Sequence, residues 1–165
     1  MSIDWTGLLP LLILAGGGTA TFLVGAFWRR RPAGVLFALA LVTAGAGAAA
    51  TLLRPSLGQG LESLLDLGGY FRFFTSVLMF ITIISLLFVR QYSVTHGFAG
   101  DELYACLIFA ALGMVLVVAG ANWVIFFLGL ELMSLALYIL IAIRKSEPYG
   151  NEAGLKYFIM GAVAS

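Results

Sequence analysis

The chain has 165 residues, 62% hydrophobic and only 10% charged, with a mean hydropathy of +1.06. A soluble domain must cover its core with polar groups, so this composition points to lipid as the solvent. The formal net charge is +1, with lysines and arginines spread along the chain, which excludes the concentrated basic footprint of a nucleic-acid binder.

The expected fold class is all-α: a polytopic transmembrane helical bundle forming one domain over residues 1–165. Spans are expected at 8–28, 33–53, 70–89, 103–119 and 121–143, with the start of a sixth at 152–165. Crossing about 30 Å of hydrocarbon at ~1.5 Å per residue takes about 20 residues, which sets these assignments. The first run follows Asp4 and Trp5 and precedes Arg29, Arg30 and Arg31, the reverse of a cleavable signal peptide, so it reads as a retained span.

Small residues recur every four positions in the first two spans, at Gly17, Thr21 and Gly25 and at Ala40, Ala44 and Ala48. Such faces let helix backbones approach closely, which associates helices where lipid offers no hydrophobic drive. The run Gly16-Gly17-Gly18 has no phosphate-loop context, so it marks no nucleotide site. In the third span Thr75, Thr82 and Ser85 share a helical face and are candidates for lining a water path. Isolated hydroxyls in membrane helices nevertheless usually bond back to their own backbone.

The apolar stretch from Leu103 to Ile143 is too long for one crossing and is split at Gly120-Ala121-Asn122 into two spans joined by a tight turn. Cys106 is the only cysteine and lies in an apolar run, which rules out an intrachain disulfide and suits a packing role. His96 is the only histidine and reads as a solvated loop residue beside Arg90 and Asp101; no metal or haem site is expected. The sixth run starts near Glu152 and is still apolar at Ser165, about half to two thirds of a crossing at helical rise. Membrane helices do not leave carbonyls unpaired in lipid, so the sequence is expected to be an N-terminal fragment of a longer protein.

Arg29, Arg30, Arg31, Arg90, Arg144 and Lys145 fall on one side of the five spans, and Arg54 and Arg72 on the other. The positive-inside rule then makes the first side cytoplasmic and puts the N-terminus and the linker with Arg54, Glu62 and Asp66 outside.

Glu131 stands near the centre of the fifth span, ten residues from Ala121 and twelve from Ile143, with no other charge in that crossing. A charged side chain at mid-bilayer costs roughly 2.5 to 3.5 kcal/mol on insertion scales, tolerated where it faces a bundle interior or a hydrated cavity. Burial disfavours a charged carboxylate and a nearby cation favours it, so a movable lysine can switch such a group between holding and releasing a proton. The structural alternative is a protonated interhelical pin. Ser134 and Tyr138 follow at offsets of three and seven, so one stripe offers hydroxyls in line with Glu131, either to order water or to pack. Lys156 follows Glu152 by four residues, about 6 to 9 Å inside the cytoplasmic boundary at helical rise. It reads equally as a relay group, a snorkelling lysine, or half of an i, i+4 pair with Glu152.

The string Phe127-Leu-Gly-Leu-Glu-Leu-Met-Ser-Leu-Ala-Leu-Tyr138, with Asn151-Glu-Ala-Gly-Leu-Lys-Tyr-Phe-Ile-Met-Gly-Ala-Val-Ala-Ser165, resembles the N-subunit family of NADH-quinone oxidoreductase, respiratory complex I. The resemblance is strongest from Asn122 to Ser165. Upstream it lies in the order of spans. It implies an antiporter-like fold of about 14 helices in two inverted five-helix repeats, moving protons as quinone is reduced elsewhere in the complex. It also matches Glu131 to the family's key glutamate and Lys156 to its lysine of the sixth helix. NADH, flavin, iron–sulfur clusters and quinone are then expected in partner subunits, with no cofactor in this chain, and the fragment alone is not expected to be catalytic or to pump. The implied partners are the other complex I membrane subunits, in a bacterial inner (plasma) membrane. The alternatives are a subunit of a cation/proton antiporter or membrane-bound hydrogenase, and a purely structural membrane component.

Overall fold

Helix follows helix because every backbone polar group in lipid must be satisfied within its own segment, a demand that overrides the strand propensity of β-branched runs such as Ile81-Thr-Ile-Ile84. The computed structural model describes residues 5–28, 34–53, 64–95, 101–144 and 147–164. It contains α1 (Trp5–Phe27), α2 (Val35–Leu52), α3 (Gly69–Thr95), α4 (Asp101–Ala119), α5 (Trp123–Ile141) and α6 (Pro148–Ala164). The first five are long and apolar enough to cross a membrane, and the chain is a multi-pass helical membrane protein. Asp4, Arg29 to Arg31, Arg54, Glu62, His96, Lys145 and Ser165 lie outside the described residues.

The helix ends differ from the edges of the apolar runs for local reasons. α3 continues six residues beyond Val89. Arg90 ends the hydrophobic stretch, but Arg, Gln and Tyr are all compatible with helix, so the chain leaves the hydrocarbon before it leaves the helix. At 27 residues α3 is about 40 Å long, against about 30 Å of hydrocarbon. α6 starts at Pro148, four residues ahead of the expected 152, because the fixed φ of proline suits a first helical turn that needs no amide donor. α5 starts where Asn122 caps it, its side chain accepting from the Ile125 amide at 3.0 Å.

The α4–α5 turn is tied to the segment before α3. The Asp66 amide donates to the Ala119 carbonyl at 2.7 Å, and the Ala121 amide to the Leu64 carbonyl at 3.0 Å. These bonds satisfy backbone groups that would otherwise be orphaned at helix ends.

α4 is the central helix. It packs against α1, α2, α3 and α5, while among the described helices α6 touches only α5. Ala105, Ala110 and Ala111 keep α4 slender, so neighbours close on it from several directions, and Ile108, Leu112 and Val115 fill the spaces between. The small faces of α1 and α2 also meet. A Cβ on Gly17 would collide with the Thr43 side chain, and Ala40 and Ala44 are buried. Thr21 and Thr43 are buried there too, donating back to the Gly17 and Leu39 carbonyls at 2.7 and 2.8 Å. α3 turns Phe71, Thr75, Met79, Thr82 and Leu86 inward, a stripe at helical spacing.

Candidate functional site

α5 is held by glycine on one side and presents its carboxylate on the other. A Cβ on Gly113 of α4 would lie 2.5 Å from the Met133 amide nitrogen, and one on Gly129 would lie 2.7 Å from the Val117 amide nitrogen. The backbones of α4 and α5 are thus in direct contact. Glu131 follows Gly129 by two residues, which turns it about 160° away from that contact. It shares its face with Tyr138, seven residues on and only about 20° off in angle.

That face is the one α6 covers. The Tyr138 hydroxyl lies against Gly161, and the Tyr138 ring meets Phe158 edge-on at 6.3 Å between centroids. A Cβ on Gly154 would lie 2.7 Å from the Ala142 Cβ. Each close approach uses a glycine to admit a side chain or backbone of the partner helix.

Glu131 lies about 12 Å along the helix from Trp123 and about 15 Å from Ile141, which puts it near the middle of a helix long and apolar enough to cross a membrane. Its side chain is half-buried and makes no hydrogen bond or ion pair among the described residues. Ser134 is half-buried on the adjoining side of the helix. Tyr138, whatever else it does, is a packing residue against α6.

Lys156 is placed elsewhere. It is two residues from both Gly154 and Phe158, so it points away from α5, and its side chain is 69% exposed. Its Nζ donates to Glu152 Oε1 at 2.5 Å, forming the i, i+4 pair. Because Gly154 packs beside Ala142, Lys156 sits near the level of Leu140, about 14 Å along the axis from Glu131. The structure does not bring the two together.

The α3 hydroxyls divide. Thr82 donates to the Leu78 carbonyl at 2.8 Å and Ser85 to the Ile81 carbonyl at 2.9 Å, so both engage their own backbone. Thr75 Oγ1 is buried with no hydrogen-bond partner. The glycines at 113, 129, 154 and 161 were missed by sequence reasoning. The seven-residue spacing of Gly154 and Gly161 is a usable signal, since it repeats one helix face; Gly113 and Gly129 carry no such periodic cue.

Residues 120–165, which include Glu131 and Lys156, match the family described as NADH:quinone oxidoreductase/Mrp antiporter, transmembrane. The chain is 38% identical to an NADH-quinone oxidoreductase subunit N of Geotalea uraniireducens over 159 residues, covering 96% of this chain and 33% of that protein. It is 34% identical to the subunit N of Sphingopyxis alaskensis, over 100% of this chain and 34% of that protein. Over a shorter region, 56% of this chain and 20% of the relative, it is 44% identical to a subunit N 1 of Solidesulfovibrio magneticus. The chain spans about a third of the length of the first two, and the matched region spans a fifth of the third. With a carboxylate near the middle of a membrane-spanning-length helix inside the matched region, residues 120–165 belong to the NADH:quinone oxidoreductase/Mrp antiporter transmembrane family, and the chain is similar over nearly its whole length to NADH-quinone oxidoreductase N subunits.

Proposed function

We propose that this chain is the part of a proton-pumping NADH-quinone oxidoreductase membrane subunit that carries a mid-membrane proton relay, with Glu131 as the group that takes up and releases the proton. The observation that carries the reading is Glu131 itself, the charged residue of α5, at the middle of a crossing and on the α6-facing side of its helix. An acid kept there at the cost of insertion is accounted for by proton exchange.

Lys156, near the α6 start and closer to the end where Arg90 and Arg144 stand, feeds or drains Glu131 from the cytoplasmic side. The distance of about 14 Å along the axis is too long for direct transfer, so the step needs intervening water or a side-chain chain that includes Ser134 and Tyr138. Thr82 and Ser85, occupied by their own carbonyls, are the weaker path-lining candidates. Orientation follows the positive-inside rule, with the N-terminus outside and the chain in a bacterial inner membrane. NADH, flavin, iron–sulfur clusters and quinone belong to partner subunits, and this chain alone is not catalytic.

The test is Glu131→Gln in the full-length homologous protein, assembled in its complex, with NADH-driven proton uptake measured in inverted membrane vesicles. The expected result is a large loss of pumping at unchanged assembly. Full pumping in that variant removes Glu131 from the mechanism. The packing of Tyr138 and Phe158 on the same α5 face favours a second reading, in which Glu131 is an interhelical pin. That reading requires pumping to survive an apolar residue of similar volume at Glu131.

A further inference from the structure

At the end of the bundle where α3 and α5 finish and α4 and α6 begin, a cleft of about 350 Å³ opens between the helices. Its walls are apolar, from Val89, Leu103, Leu140 and Ile141, and Arg144, Glu147 and Tyr92 stand around it. Val89 is the last residue of the α3 apolar run and Arg144 lies three residues past the end of α5, so the cleft sits at the boundary between hydrocarbon and headgroups.

Among the described residues, the two charges that line this cleft are of opposite sign and are not tightly closed on each other. Arg144 Nη1 and Glu147 Oε1 are 3.6 Å apart, with both side chains part-exposed. A charge-assisted hydrogen bond closes to about 2.7–2.9 Å, so this pair is loose enough to open around a third group. The guanidinium is steadied from one side by the Tyr92 ring, 5.9 Å from its central carbon. A cation and an anion side by side, on apolar walls at headgroup depth, complement a lipid whose own headgroup is a zwitterion.

We propose that this cleft binds a phospholipid of the phosphatidylethanolamine type, its phosphate accepting from Arg144 and its ammonium donating to Glu147, with the acyl chains against Val89, Leu103 and Ile141. The guanidinium has five N–H donors in a planar fork suited to phosphate oxygens, and a primary ammonium has three donors for a carboxylate. A net-anionic headgroup such as phosphatidylglycerol would bring its charge beside Glu147 with no donor ammonium to offset it. A choline headgroup carries the positive charge but no N–H. The cleft volume lies near the lower end of the range of about 300–1,000 Å³ usual for small-ligand sites, enough for a headgroup and glycerol with the chains left in the bilayer. This site is independent of the proton-transfer reading, because its α5 residues, Leu140 and Ile141, lie about 14 Å or more along the helix from Glu131.

The test is lipid retention by the full chain in detergent. The chain is exchanged into micelles holding equal amounts of phosphatidylethanolamine, phosphatidylglycerol and phosphatidylcholine with matched acyl chains, and the bound lipid is measured by native mass spectrometry. The expected result is retention of phosphatidylethanolamine roughly fivefold over either competitor, the scale of one part-exposed ion pair. Glu147→Gln is expected to erase that preference, and Arg144→Gln to lower retention of all three lipids. Equal retention by the unaltered chain, a preference for phosphatidylglycerol, or an undiminished preference in Glu147→Gln overturns the proposal. The comparison of headgroups on the unaltered chain decides the matter even where a variant fails to fold.

Discussion

The Tyr138 hydroxyl rests against Gly161, so α5 and α6 meet where one helix supplies a ring and the other supplies no side chain at all. α6 touches no other described helix, which makes this contact, with Phe158 and Gly154 beside it, the attachment of α6 to the bundle.

A bulky residue at 161 should therefore detach α6. Gly161→Leu is expected to lower stability by about 1–3 kcal/mol, the usual cost of overpacking. Combining it with Tyr138→Ala should cost less than the sum of the two single changes, by about 0.5–3 kcal/mol, because the contact is shared. Thermal unfolding of the purified chain and its variants in detergent measures both quantities; strict additivity would show that ring and glycine are not coupled.

Glycines that look alike in sequence should respond in opposite directions. Gly113→Ala and Gly129→Ala push a methyl into the backbone of the facing helix, which cannot rotate aside, and are expected to destabilise by about 1–3 kcal/mol. Gly16→Ala meets no atom within 4 Å and should be neutral or gain about 0.5–1 kcal/mol through reduced backbone entropy. Parallel melting curves of the three variants provide the check.

Thr75 offers a different contrast. Its hydroxyl is buried without a partner, so Thr75→Val, nearly the same shape, should stabilise the chain by about 1 kcal/mol. Thr51→Val removes a hydroxyl that donates to the Gly47 carbonyl at 2.8 Å and should cost about 0.5–1.5 kcal/mol. Opposite signs in unfolding are the expected outcome, and two losses of similar size would show that Thr75 is hydrogen-bonded in the membrane.

Lys156 can be tested for function apart from folding. Its pair with Glu152 is exposed, so Lys156→Met is expected to change stability by no more than about 0.5 kcal/mol. Under the proposed role, the same substitution in the full-length homologous protein cuts proton translocation severalfold at normal assembly. Vesicle proton uptake and subunit abundance, measured together, separate the two effects.

The membrane character, the first five spans and the central place of Glu131 were legible because lipid imposes one requirement, a long apolar run, that any sequence must print openly. The turn at Gly120-Ala121-Asn122 was legible for a related reason: Asn122 is a good helix cap and the run was too long to cross once. The end of α3 was not, because Arg90 changes the solvent preferred by the chain without changing its preference for helix. The pairing of Lys156 with Glu152 was readable as one of several options, since residues four apart on a helix always meet.

The amino-acid sequence by itself determined that this is a helical membrane protein, how many helices are long and apolar enough to cross, and which acid stands near the middle of α5, since burial cost and helical rise act within each segment. Only the tertiary structure decided that Gly113 and Gly129 seat α5 against α4, that Glu131 faces the α6 side, and that Lys156 points elsewhere. Those outcomes depend on which helix faces are neighbours, and in a chain apolar on nearly every face the pattern of one helix carries little record of what packs against it.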